Sequence, residues 1–212
     1  MENESSDYRD PSSAMDQRIR ELTAQGFRMN ISEYLKIAWE LFKKDLGSFV
    51  LFALIFVLIN GTLGLLSSQI IYGGSLIQMI ITPPLYMGLV NVAYKLDRGE
   101  PYEFSAFFDG FKRFKPLALA GLVTGLLTSL GFLLCIIPGI YLAVAYSFTY
   151  LIIWFGKRED FWESMEASRK MITEEWFNFF FLVLVLLIIN ILGALALGVG
   201  LLISLPVSAL TI

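Results

Sequence analysis

The chemistry open to this chain is narrow. It contains no histidine and one cysteine. Without histidine the commonest general base and metal ligand is missing, and no Ser–His or Cys–His nucleophile can be assembled. Cys135 cannot close an intramolecular disulfide or build a cysteine-rich zinc site, and it reads as a small hydrophobe in an apolar turn. The polar side chains inside the apolar stretches are amides and hydroxyls. The amides are Asn60, Gln78, Asn91 and Asn190; the hydroxyls are Thr124, Thr128, Ser147, Ser204 and Ser208. Such groups either converge on a polar ligand or hydrogen-bond one helix to another, the plainer role, worth ~0.6–2 kcal/mol each. Every Asp, Glu, Lys and Arg lies outside these stretches. A proton-coupled carrier normally keeps an ionisable group at the membrane midplane, so that mechanism is disfavoured, while a sodium site built from backbone carbonyls stays open. The acids that exist sit on ordinary amphipathic faces. The expectation is therefore a protein that is not an enzyme, with no cofactor and no metal.

The elements that hold these side chains follow from apolar run length. Of 212 residues 56% are hydrophobic and 17% charged, against ~45–50% and ~25% in a soluble domain. Three stretches carry no charge: Leu46–Tyr94 (49 positions), Leu117–Phe155 (39) and Trp176–Ile212 (37). One span of the ~30 Å hydrocarbon core takes ~20 apolar residues, so each stretch reads as two spans. The pattern predicts helices at Leu46–Leu66, about Leu76–Tyr94, two across Leu117–Phe155, Trp176–Leu192 and about Leu195–Ile212. Pro138 suits the first turn of a new helix, so Pro138-Gly139 marks the central turn. Pro83 and Pro84 fall inside the second span and are expected to kink or break it. Pro206 lies in the last, and Gly193 and Gly198 lie near its turn. That final span ends without a charged anchor, so it either stops at the interface or belongs to a longer chain.

A charged amphipathic segment precedes each hairpin. In Asn30–Asp45, Tyr34, Leu35, Ala38, Leu41 and Phe42 recur at helical spacing. In Lys95–Lys115, Phe104, Phe107, Phe108, Phe111 and Phe114 form a stripe. In Lys157–Glu175, Asp160 and Glu163 have capping-box spacing. All 16 Lys and Arg fall in these segments and the region before them, seven, five and four in turn. By the positive-inside rule that face is cytoplasmic, as are both termini. Trp39, Phe107, Phe108, Phe111, Trp154, Trp162 and Trp176 are expected as interfacial anchors. The fold expected is all-α: a polytopic membrane protein of six transmembrane helices, arranged as three hairpins each led by an interfacial helix.

Residues 1–29 are polar and acidic, with no apolar core of the kind a secretory signal needs, and read as a largely disordered cytoplasmic tail with a short helix at Ala14–Gln25. Residues 30–212 form one transmembrane domain with units at about 30–95, 102–156 and 159–212. Glu33–Asn60 matches Glu163–Asn190 at a constant offset of 130, which makes Asn60 and Asn190 equivalent, and a second offset of 54 pairs Pro84 with Pro138 and Phe107 with Phe161.

Ile137-Pro138-Gly139-Ile140, Glu166-Ala167-Ser168, Trp176-Phe177, Gly198-Val199-Gly200-Leu201-Leu202 and Pro206 carry a resemblance. From about Ser32 onward the chain resembles uncharacterised bacterial integral-membrane families related to the membrane domain found on some glycerophosphodiester phosphodiesterases. The resemblance implies a cytoplasmic-membrane protein tied to lipids or the envelope. It does not carry over the phosphodiesterase activity, which belongs to a separate soluble barrel with catalytic His. The function expected is non-enzymatic, lipid-interacting or partner-organising. Membrane lipids are the expected partner, with a protein partner or a second copy of the chain beside them, and no nucleic acid, since net charge is only −3 and no basic aromatic cluster exists. A transporter or channel for a small or amphiphilic solute, and a structural subunit of a larger complex, are the alternatives.

Overall fold

A computed structural model describes residues 31–69, 73–173, 175–195 and 200–211. The expected tail and its short helix lie outside these residues, as do Gly198 and Val199. Every regular element described is helical: α1 (Ile31–Lys44), α2 (Leu46–Gln69), α3 (Gly73–Asp97), a 3₁₀ helix (Phe104–Arg113), α4 (Phe114–Leu134), α5 (Ile136–Ala145), α6 (Thr149–Phe155), α7 (Phe161–Thr173), α8 (Trp176–Leu195) and α9 (Leu201–Thr211).

Five stretches are long and apolar enough to cross a membrane: Leu46–Leu66, Ser75–Asp97, Phe104–Leu134, Ile136–Phe155 and Trp176–Leu195. The sixth expected span takes a different form. Helix α8 runs on to Leu195, and α9 has 11 residues, which rise ~16 Å, about half the hydrocarbon core. Near the turn a side chain on Gly193 would meet Ser204 Oγ at 2.6 Å and the Gly200 carbonyl carbon at 3.0 Å, so the two helices close tightly there. The fourth span is also divided, into α5 and α6, by a turn at Tyr146–Phe148.

Pro83 and Pro84 do not break α3, which continues through both. They remove the donors for the Met79 and Ile80 carbonyls, and Gly121 of α4 packs directly on the Met79 carbonyl and the Pro83 ring. Lower down, a methyl group on Gly88 would overlap the Phe107 carbonyl, and one on Gly110 the Pro84 carbonyl. Helix α3 and the 3₁₀ helix therefore meet backbone to backbone.

The phenylalanine stripe is re-sorted by that 3₁₀ geometry. With three residues per turn, positions i and i+3 share a row. Phe104, Phe107 and Gly110 fall on one row, and Phe108, Phe111 and Phe114 on another. Phe107 is fully buried, stacked on Phe52 at 4.8 Å and edge-on to Phe49 at 5.5 Å. It anchors the segment to the protein core, which corrects the expectation of an interfacial role for this residue. Phe111 and Phe114 are exposed and stack on each other at 6.1 Å.

Three apolar clusters hold the bundle. One joins α1, α2, α3, the 3₁₀ helix and α9 through Phe42, Phe49, Phe52, Leu85, Phe107 and Val207. A second joins α3, α4 and α6 through Met87, Leu117, Ala120 and Ile153. The third joins α5, α7 and α8 through Val144, Ile172 and Phe179. The packing is circular: α3 leans on the 3₁₀ helix, α5 and α6 lean on α7, and α9 leans on α1. Each hairpin's second helix thus rests on the amphipathic segment of the next unit.

Candidate functional site: three polar clasps and an amphiphilic crevice

The two asparagines paired by the repeat each bond to their own helix and to two side chains of the facing one. Asn60 donates from Nδ2 to the Phe56 carbonyl at 2.9 Å, and its Oδ1 accepts from Thr82 Oγ1 at 2.8 Å and Gln78 Nε2 at 3.2 Å. Asn190 donates from Nδ2 to the Leu186 carbonyl at 2.9 Å and to Ser208 Oγ at 2.7 Å, while its Oδ1 accepts from Ser204 Oγ at 3.0 Å. In both, an amide on the first helix of a hairpin grips two polar residues four apart on the second. The middle hairpin uses Thr124 instead: its Oγ1 donates to the Ala120 carbonyl at 2.7 Å and lies 3.1 Å from Tyr150 Oη. Buried amides and hydroxyls need such partners, since an unpaired one costs ~1–3 kcal/mol.

Asn91 has a separate role. It is buried, and its Nδ2 donates to Asp109 Oδ2 at 3.3 Å. Asp109 also pairs with Lys112 at 2.6 Å and Lys95 at 3.7 Å, so this cluster ties α3 to the 3₁₀ helix. The remaining aromatic residues divide between surface and interior. Trp39 and Trp162 are exposed, whereas Trp154 is half-buried against the second cluster. Trp176 is also half-buried, stacked on Phe180 at 5.1 Å and Tyr141 at 6.2 Å. Phe108 packs on Phe52.

Charges meet at the mouths of the helices. Asp160 Oδ1 caps α7 by accepting from the Trp162 and Glu163 amides at 2.8 and 3.2 Å. Glu163 turns outward to Arg158, which is 4% exposed, at 3.2 Å. Arg113 donates to the Arg158 carbonyl at 2.9 Å and to Glu159 at 2.6 Å, linking the end of the 3₁₀ helix to the start of α7. Burial alone would push the Asp45 carboxyl up, but hydrogen bonds from Tyr102 and Ser48 hold it below the usual carboxylate range. Among the described residues no three His, Cys, Asp or Glu gather where a metal could be held.

Two hollows open among the apolar helices. The smaller, about 300 Å³, lies between α2, α3, α8 and α9, with Phe52, Phe56, Leu186 and Pro206 on its walls. The larger, about 680 Å³, lies between α3, α4 and the broken α5–α6 span. Its lining mixes apolar residues such as Met79, Pro83 and Phe132 with Gln78, Thr82, Thr124, Thr128, Ser129 and Ser147. Tyr86 borders both. Its floor, at Pro83, Gly121 and Thr124, is buried, and its rim, at Ser75, Ser129, Phe132 and Ala143, is exposed.

The structure brings Asn60 and Gln78 together, places Asn190 beside the smaller hollow, and leaves Asn91 apart. Thr82 and Tyr86 were not picked out by sequence reasoning, which read Tyr150 as a packing residue. Thr82 sits four residues from Gln78, and that spacing is the signal that would have found it. Comparison with known protein families, with curated proteins and with solved structures finds no match for this chain.

Proposed function

We propose that this chain is a non-enzymatic, multi-pass protein of the cytoplasmic membrane that binds lipid between its helices. The observation that carries this reading is the 680 Å³ crevice, bordered by span-capable helices and by a mixture of hydroxyl and apolar side chains. That mixture is the complement of an amphiphile. The exposed aromatic residues Trp39, Phe111 and Trp162 extend the same affinity to the interface. The segregation of all 16 basic residues supports a cytoplasmic face formed by α1, the 3₁₀ helix and α7, with both chain ends on that side. The packing of α9 back onto α1 agrees with this orientation. The relation to bacterial integral-membrane families without a catalytic barrel belongs to the same proposal and rests on the α7 segment and on Ile137-Pro138-Gly139-Ile140, which lies in the first turn of α5, the expected turn falling at Cys135 instead.

Lipid extraction and mass spectrometry of the detergent-purified protein test the reading. A lipid species enriched over the bulk membrane composition is expected; a lipid-free protein would sink it. A second reading, transport of an amphiphilic solute, is favoured by the break between α5 and α6, which borders the crevice at Tyr146 and Ser147. Flux into proteoliposomes separates the two, since a binding protein retains lipid without passing solute.

A further inference from the structure

We infer that the larger crevice is a site for a neutral lipid whose uncharged headgroup carries hydroxyl groups. The inference rests on the lipid-binding reading above and gives that lipid a place and a chemistry. Three observations lead to it.

First, the polar groups of the crevice are only half satisfied by the protein. Thr82, Gln78 and Thr124 are engaged in the helix clasps, and Ser147 donates to the Val144 carbonyl at 2.9 Å. The hydroxyls of Tyr86, Thr128 and Ser129 line the same space and make no hydrogen bond to a described residue. In hydrocarbon an unpaired hydroxyl is costly, so Tyr86 and Thr128 along the wall and Ser129 at the rim offer polar atoms for a ligand to satisfy.

Second, the lining is uncharged. No Asp, Glu, Lys or Arg is among the described residues that border it. Glu166 and Arg169, whose charges act on Tyr146 of the lining, are held to each other at 2.6 Å. A phosphate or ammonium headgroup would enter without a counter-charge and bear its full desolvation cost. Hydroxyl and ester groups meet no such barrier.

Third, the shape suits a lipid entering from the side. The volume of about 680 Å³ falls within the ~300–1,000 Å³ range of small-molecule sites. Its floor at Pro83, Gly121 and Thr124 is buried, while Ser75, Ser129, Phe132 and Ala143 at its rim are exposed, so the hollow opens sideways there. Gly121 and Gly125 bring α4 into direct contact with Met79 and Pro83, and that contact closes the floor.

The test uses the full chain in phosphatidylcholine vesicles with two photoactivatable probes of identical acyl chains, a diacylglycerol and a phosphatidic acid. The diacylglycerol is expected to cross-link to peptides covering 121–132 and 143–150, and the phosphatidic acid not to exceed background there. In a Thr128→Val, Ser129→Ala double variant that labelling should fall about five-fold or more, the effect of losing one or two hydrogen bonds. Ala143→Trp, a change at the exposed rim, should block it. Equal labelling by both probes, or labelling unmoved by both variants, overturns the inference. If lipid is retained on the purified protein but cross-links elsewhere, the crevice assignment falls while the proposed function stands. If no lipid is retained, both fall.

Discussion

At the scale of single residues, Asn60 and Asn190 carry the clearest information. Sequence reading recognised both and their equivalence, because an amide in an apolar run and a constant offset are visible in one dimension. It named Gln78, Ser204 and Ser208 but not their pairing with the asparagines, and it missed Thr82, since those contacts form only when the second helix folds back. Replacing either asparagine by Leu removes its hydrogen bonds to two side chains of the facing helix and should lower stability by ~1–2 kcal/mol, with similar losses for both, as read from thermal melting in detergent. Asp45 offers a pH test. Its carboxyl is held below its usual range, so the stability it lends is present above the unfolded-state value of ~4 and is lost as pH falls through the folded value. Melting temperature should therefore drop on acidification below about pH 4, and Asp45→Asn should flatten that part of the profile. An unchanged profile would mean that the Tyr102 and Ser48 bonds contribute nothing.

At the scale of elements, the existence of the helices was legible and their interiors were not. Run length and the absence of charge located α2, α3, α4 and α8. Nothing in the apolar run Ile136–Phe155 marked its break at Tyr146–Phe148. That break is stabilised from outside: the Thr149 amide turns to the Tyr146 carbonyl at 3.2 Å, and the freed Ala145 carbonyl accepts from Ser168 Oγ of α7 at 2.8 Å. Ser168→Ala should cost ~1–3 kcal/mol by orphaning that carbonyl, whereas Ser168→Thr should largely keep the bond; comparative melting distinguishes them. The proline pair misled for a related reason, because the freed carbonyl of Met79 is covered by Gly121 and the helix continues. Glycines sort by neighbour rather than by position in a helix. Gly88→Ala and Gly110→Ala should each destabilise by roughly 1–3 kcal/mol or prevent folding, because carbonyl oxygens occupy the required space. Gly47→Ala and Gly64→Ala meet nothing within 4 Å and should be neutral or slightly stabilising.

At the scale of the whole molecule, the three-unit rhythm seen in the sequence corresponds to a circular packing in which each hairpin leans on the next amphipathic segment. The units are unequal. The first has two full-length helices long and apolar enough to cross a membrane, the second one whole and one broken, and the third a full-length α8 and a short α9. Apolar composition made six spans look equal, because hydropathy counts residues and does not register where a turn consumes them. The inequality also opens the crevice, which adjoins the broken span. The account depends throughout on the three charged segments sharing one face of the membrane and the α4–α5 turn lying at the other.

Cys135 tests that directly. It is the chain's one cysteine and sits exposed in the α4–α5 turn, so no engineered site is needed. A membrane-impermeant maleimide added to intact spheroplasts should label it, and inverted vesicles should protect it until detergent is added. Labelling in inverted vesicles alone would place the turn on the cytoplasmic side and contradict the topology on which the proposed lipid site is built.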